Sequence, residues 1–95
     1  MIRSFATRET HALFRGKRVR QLPPDIHDTA RRKLRQLEAA ERLADMRQPP
    51  GNRLEQLKGY APPRYSVRIN DQWRLTFRWS DGGADDVRIE DYHRG

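Results

Sequence analysis

Two runs decide how this chain folds: Arg64-Tyr65-Ser66-Val67-Arg68-Ile69 and Trp73-Arg74-Leu75-Thr76-Phe77-Arg78-Trp79, separated by Asn70-Asp71-Gln72. In the first, Tyr65, Val67 and Ile69 alternate with Arg64, Ser66 and Arg68. In the second, Trp73, Leu75, Phe77 and Trp79 alternate with Arg74, Thr76 and Arg78. A period of two sends successive side chains to opposite faces, so both runs read as strands with one apolar and one cationic face. Pairing Ile69 with Trp73 across the three-residue loop keeps the apolar residues together, whereas a two-residue loop sets Val67 against Arg74 and mixes the faces. The favoured register places Arg68 opposite Arg74 and Arg64 opposite Arg78. Like charges directly across a ladder are destabilising. Such a face suits either a docked polyanion or a solvated surface on which long arginines splay apart.

Downstream, Asp81-Gly82-Gly83-Ala84-Asp85-Asp86 reads as a turn, after which Val87 and Ile89 return to the apolar face and Arg88, Glu90 and Tyr92 to the cationic one. Upstream, Ala61-Pro62-Pro63 is a rigid link, and Arg53 to Tyr60 predicts a short strand with a bulge or turn at Lys58-Gly59. Gln48-Pro49-Pro50-Gly51-Asn52 stops a helix, because two prolines and a glycine cannot continue one. That helix opens at Pro23-Pro24-Asp25, with Asp25 and Asp28 favourable at its positive end. Ile26, Ala30, Leu34, Leu37, Ala40 and Ala44 form its buried stripe, widened later by Leu43 and Met46. Arg31, Arg32, Lys33 and Arg35 lie mostly on its other faces, facing solvent or a partner. A shorter helix runs from an N-cap at Thr7 through Arg15 to Gly16, preceded by a short strand at Ile2 to Phe5 and followed by a basic connector, Lys17 to Arg20. The expected fold class is α+β, with two N-terminal helices packed on one face of a small, mainly antiparallel sheet.

A chain of 95 residues suits one domain, and with 35% of residues hydrophobic and 35% charged its core must be economical. Without cysteine there is no disulfide or thiol chemistry, which fits a reducing compartment. Met1-Ile2-Arg3-Ser4-Phe5 lacks the apolar core of a secretion signal, so a cytoplasmic protein is expected. The net charge of +7 is uneven: residues 1–20 carry six basic and one acidic side chain, residues 61–95 six of each. The sheet is therefore neutral in sum but segregated by face. Such a chain is expected to associate with nucleic acid or an acidic protein.

Chemistry concentrates at the end, Glu90-Asp91-Tyr92-His93. By parity Tyr92 emerges among Arg68, Arg74, Arg78 and Arg88, where an aromatic ring can stack on a base while arginines hold phosphates. His93 has the best setting of three histidines for proton transfer; its alternative is a polar strand end. The histidines are scattered without ligand spacing, so no metal or cofactor is expected. Acid–base chemistry supported by arginine, or binding without chemistry, is what the residues leave.

Met1-Ile2-Arg3-Ser4-Phe5, Leu57-Lys58-Gly59, Tyr65-Ser66-Val67-Arg68-Ile69-Asn70 with Trp73-Arg74-Leu75-Thr76-Phe77, and Glu90-Asp91-Tyr92-His93 together resemble HigB-type toxins of the RelE/ParE superfamily, nearly end to end and in the same order. The resemblance implies a RelE-like fold and a bacterial type II toxin that cleaves messenger RNA in the ribosomal A site without a metal. It also implies a helix-turn-helix, HigA-like antitoxin that neutralises the toxin and represses the operon, so that operator DNA is reached only through that partner. By the same resemblance Arg74 is the phosphate-stabilising arginine and Lys58 the basic residue after the short strand; the charge that builds up in RNA cleavage makes Arg68 and Arg78 further candidate cations beside them. Asp91, Tyr92 and His93 form the C-terminal catalytic group, with His93 as acid or base and Asp91 as its orienter. Where many such toxins carry a histidine this chain has Glu55, as in a GraT-like subgroup of comparatively mild toxins. Glu55 is then either a base or a purely electrostatic or structural group, since a carboxylate among arginines is a weak base. Two other classes compete: a ParE-like inhibitor of DNA gyrase, which shares the scaffold without needing this cluster, and a small basic nucleic-acid-binding protein without chemistry.

Overall fold

The computed structural model describes residues 1–92. Helix α1 (Arg8–Phe14) and helix α2 (His27–Ala39) precede strands β1 (Glu55–Leu57), β2 (Arg64–Arg68), β3 (Trp73–Ser80) and β4 (Gly83–Asp91). The strands form one antiparallel sheet in the order β1-β2-β3-β4. This is the expected α+β arrangement.

The β2–β3 register agrees with the one read from the alternation, with Arg64 opposite Arg78 and Arg68 opposite Arg74. The three-residue loop closes through Ile69 N–H donating to the Trp73 carbonyl at 2.9 Å, while Asn70 Oδ1 accepts from the backbone N–H groups of Gln72 and Trp73. Asn70 thus acts as a side-chain turn, the reason asparagine suits this position. The second turn is tighter than the six residues expected: Ser80 pairs with Gly83, so only Asp81 and Gly82 turn, both at positive φ, and Gly83 to Asp86 belong to β4. This is the backbone of a two-residue hairpin whose twist matches its strands. The extra residue is absorbed by a bulge between Thr76 and Arg78, where Asp86 takes φ 51°. A bulge restores parity, and Val87 and Ile89 reach the core as expected.

The apolar face carries Val67, Leu75, Phe77, Val87 and Ile89, all buried. Helix α2 packs on β3 and β4, and α1 on β4. Thr7 caps α1, its side chain accepting from Thr10 N–H. Arg31 does not simply face solvent: it donates from Nε to the Leu13 carbonyl at 3.0 Å and from Nη2 to the Lys17 carbonyl, tying α2 to the end of α1 and the connector after it. Helix α2 supplies Ala30, Leu34 and Leu37 to the core, preceded by Ile26 in a short 3₁₀ turn, Pro24–Ile26.

Two further expectations need correction. Helix α2 does not run on to the prolines; Ala40 is extended, and a separate 3₁₀ turn, Leu43–Arg47, follows. Asp45 Oδ2 accepts from the N–H groups of Glu41 and Arg42, at 3.0 Å each, which starts the new turn and leaves Ala44 exposed rather than in the stripe. The segment Ile2 to Phe5 is not a regular strand but makes two isolated parallel bridges to β4, Ile2 with Ala84 and Phe5 with Val87.

Candidate active site

The open face of the sheet can be written as three rows, because antiparallel register fixes which side chains stand side by side. One row is Arg68, Arg74 and Glu90; the next is Glu55, Ser66, Thr76 and Arg88; the third is Arg64 and Arg78 beside Asp85. Small side chains in the middle, Ser66 and Thr76, are buried and make a floor between arginines.

Most of the cations on this face are already engaged. Arg68 pairs with Asp71, and that hydrogen bond holds the Asp71 carboxyl below the usual carboxylate range. Arg78 pairs with Asp86 at 2.6 Å, and Arg88 Nε stands 3.9 Å from Glu90 Oε2. Arg64 is buried; its Nη2 donates to Thr76 Oγ1 and to the Asp86 carbonyl, both at 2.9 Å. Burial, then the neighbouring Arg88 charge, push its guanidinium below the ordinary arginine value. Arg74 differs. Its Nη1 donates only to backbone carbonyls, Asn70 at 2.5 Å and Trp73 at 3.2 Å, and among the described residues no carboxylate forms an ion pair with it.

Tyr92 crosses the end of the face to meet Arg74. The Arg74 Cζ lies 4.5 Å from the centre of the Tyr92 ring, and the Tyr92 hydroxyl donates to Glu55 Oε1 at 3.2 Å. A cation–π contact and a hydrogen bond thus link β3, the end of β4 and β1 in one chain of contacts. Tyr92 N–H donates to the Gln72 carbonyl at 2.5 Å, and Gln72 Nε2 donates to Asp91 Oδ2 at 3.0 Å, so the hairpin loop fixes where β4 ends. Beside this chain lies an open depression of about 330 Å³, lined by Lys58, Tyr60, Thr76, Glu90, Asp91 and Tyr92 among others.

The fold therefore gathers Arg74, Tyr92 and Glu55 in contact and puts Lys58 and Asp91 on the adjoining depression. Arg68 is next to Arg74 across the ladder but committed to Asp71. Arg78 is not part of the cluster: four residues along β3 separate it from Arg74 by about 13 Å, and Asp86 holds it. His93 lies outside the described residues. Sequence reading passed over Thr76 and Glu90, which share a 2.5 Å hydrogen bond at the centre of the face. Parity already placed both there, but a threonine and a glutamate among arginines carry no motif that singles them out.

Comparison with known proteins points the same way. The family model for the RelE-like toxin of the type II toxin–antitoxin system HigB matches residues 3–93. "Toxin HigB-1" of Vibrio cholerae is 47% identical over 68 residues, 72% of each chain. "Endoribonuclease HigB" of Proteus vulgaris is 27% identical over 93 residues, covering 98% of this chain and 100% of the relative. An uncharacterised protein of Haemophilus influenzae is 30% identical over 70 residues, 74% of this chain and 69% of its own. A family match spanning helices, sheet and the Arg74–Tyr92–Glu55 cluster is decisive: the chain belongs to the HigB-like toxins, the RelE-like toxins of type II toxin–antitoxin systems.

Proposed function

We propose that this toxin is a metal-independent endoribonuclease that cleaves messenger RNA in the ribosomal A site and so inhibits translation. The observation that carries the reading is Arg74: among the described residues it is the partly exposed arginine of the open face without a carboxylate partner, and an aromatic ring is stacked on it. An arginine neutralised by a carboxylate has little attraction left for a phosphate; one bound only to backbone carbonyls keeps its charge. The similarity to Endoribonuclease HigB, over nearly the whole of both chains, supports the same reaction.

Cleavage begins when a base takes the ribose 2′-OH proton and the oxygen attacks the adjacent phosphorus. Negative charge builds on the non-bridging oxygens, and an acid protonates the departing 5′-oxygen. Arg74 faces that charge, with Lys58 across the depression as a second cation. Arg68 and Arg78, each held by a carboxylate, add little to the stabilisation of that charge unless the phosphate displaces Asp71 or Asp86. Tyr92 positions the scissile nucleotide by stacking or hydrogen bonding, and Glu55 holds Tyr92 over Arg74. His93 is the acid or base, oriented by Asp91. With so few acid–base groups, much of the rate comes from the ribosome holding the RNA in line for attack. A type II toxin has an antitoxin; we assign that partner to the HigA-like, helix-turn-helix class, with operator DNA contacted through it. Among the described residues no helix is long and apolar enough to cross a membrane, in keeping with action on cytoplasmic ribosomes.

The test is cleavage of mRNA on purified translating ribosomes, mapped by primer extension. Codon-positioned cuts are expected with the parent protein. Losses of about 10²–10³-fold are expected in Arg74→Ala, the range for removing a transition-state charge donor, and a comparable loss in His93→Gln, with ribosome binding kept in both. Intact mRNA with the parent protein, together with inhibition of DNA gyrase, refutes the nuclease reading.

A further inference from the structure

Arg74 and Glu90 stand directly opposite each other on β3 and β4. Side chains so placed have Cβ atoms about 5 Å apart, within easy reach of an ion pair. They do not form one. The Glu90 carboxylate is turned along the face instead: its Oε2 accepts from Thr76 Oγ1 at 2.5 Å, while Arg88 Nε, 3.9 Å from the same oxygen, is too far for a hydrogen bond. Thr76 is 2% exposed, and its hydroxyl accepts from Arg64 Nη2 at 2.9 Å. A hydroxyl has one proton to give, and here it goes to Glu90, while a lone pair receives the Arg64 N–H. The chain is therefore directional, from Arg64 through Thr76 to Glu90. Its origin is fixed, because the same Arg64 nitrogen also donates to the Asp86 carbonyl at the bulge.

We propose that Thr76 is a positioning residue: by passing a hydrogen bond from buried Arg64 to Glu90, it holds that carboxylate away from Arg74 and keeps Arg74 open to a phosphate. The proposal deepens the nuclease reading and rests on it for its effect on rate, though not for its effect on structure. Thr76 and Arg64 touch no substrate in this account. Their work is done on the carboxylate that the register sets directly opposite Arg74. A phosphate approaching a paired Arg74 must first displace Glu90; approaching the arrangement seen here, it need not.

Thr76→Val keeps the shape of the side chain and deletes the hydroxyl. On translating ribosomes it is expected to lower the cleavage rate by about fivefold, the scale of one partly exposed ion pair competing with substrate. Thr76→Ser, which keeps the hydroxyl, is expected to stay within about twofold of the parent. In a Glu90→Gln background the Thr76→Val loss is expected to vanish, because a neutral amide does not compete for Arg74. An equal loss in both backgrounds, or a Thr76→Ser loss as large as that of Thr76→Val, overturns the proposal by making the position merely structural. A crystal structure of the free Thr76→Val protein gives an arm independent of activity: the Glu90 carboxylate is expected within about 4 Å of the Arg74 guanidinium. A Glu90 that keeps its present place overturns the proposal. A parent protein without ribosomal cleavage overturns the nuclease reading and leaves the crystallographic arm to decide the positioning role.

Discussion

Glu55 offers the sharpest numerical test, because its two readings differ by orders of magnitude. If Glu55 orients Tyr92, its contribution is one hydrogen bond between exposed groups, 3.2 Å from hydroxyl to carboxylate. Such a bond contributes about 1 kcal/mol, which converts to roughly fivefold in rate if the whole of it is lost in the transition state. If Glu55 is instead the general base, its removal forfeits the contribution of proton abstraction, about 10²–10⁴-fold. Glu55→Gln separates the two cleanly, since the amide oxygen still accepts from the Tyr92 hydroxyl but cannot take a proton at neutral pH. The geometry predicts that Glu55→Gln stays within about twofold of the parent and that Glu55→Ala falls about fivefold. Tyr92→Phe is expected to match Glu55→Ala, with little further loss in the double variant, because both delete the same bond. The assay is single-turnover cleavage on programmed ribosomes, which reads the chemical step without product release. A hundredfold loss in Glu55→Gln would refute the orienting role and make Glu55 the base.

Two further outcomes concern the scaffold. Asn52 is fully buried; its Nδ2 donates to Gln36 Oε1, the Met46 carbonyl and the Gln48 carbonyl, and its Oδ1 accepts from Lys33 Nζ. Asn52→Ala strands these partners at a cost of about 2 kcal/mol, or roughly 10 °C in Tm for a domain of this size, measurable by calorimetry. The Asp85 carboxyl is held below the usual carboxylate range chiefly by its hydrogen bond from Arg3, which ties the N-terminal segment to β4. Because the folded value is the depressed one, this contact stabilises fully above the unfolded aspartate value of about 3.9 and is lost as pH falls through the folded value. Urea midpoints measured between about pH 5 and pH 2 are expected to fall less steeply in Asp85→Asn than in the parent. Equal slopes would show that the contact does not distinguish the folded from the unfolded state.

Legibility in the sequence followed the range of the interaction responsible. Alternation in Tyr65 to Ile69 and Trp73 to Trp79 is a local pattern, and keeping apolar residues on one face left one workable loop length, so strands and register were both readable. The Thr7 cap was readable for the same reason, as a side chain reaching the backbone of its own first turn. The end of α2 was not. Its apolar spacing continues past Ala40, and the break depends on Asp45 reaching back to Glu41 and Arg42, a competitor that periodicity does not register. Gly83 to Asp86 have the composition of a turn, yet Gly83 to Asp85 pair with β3 and Ala84 bridges the N-terminal segment, with the surplus residue taken up by the bulge at Asp86.

The sequence by itself determined that this chain has a sheet with one apolar and one arginine-bearing face, and which residue types stand on each. Side-chain parity is a property of the backbone and needs no partner. Only the tertiary structure decided which of those arginines is available. Arg68, Arg78 and Arg64 are taken by Asp71, Asp86 and the Thr76–Glu90 chain, through contacts that depend on a loop, a bulge and a cross-strand neighbour. Counting charges along a chain cannot reveal such pairings, because Coulomb attraction acts through space between groups that the fold alone brings together. Arg74, left with carbonyls and the ring of Tyr92, is the outcome of that sorting.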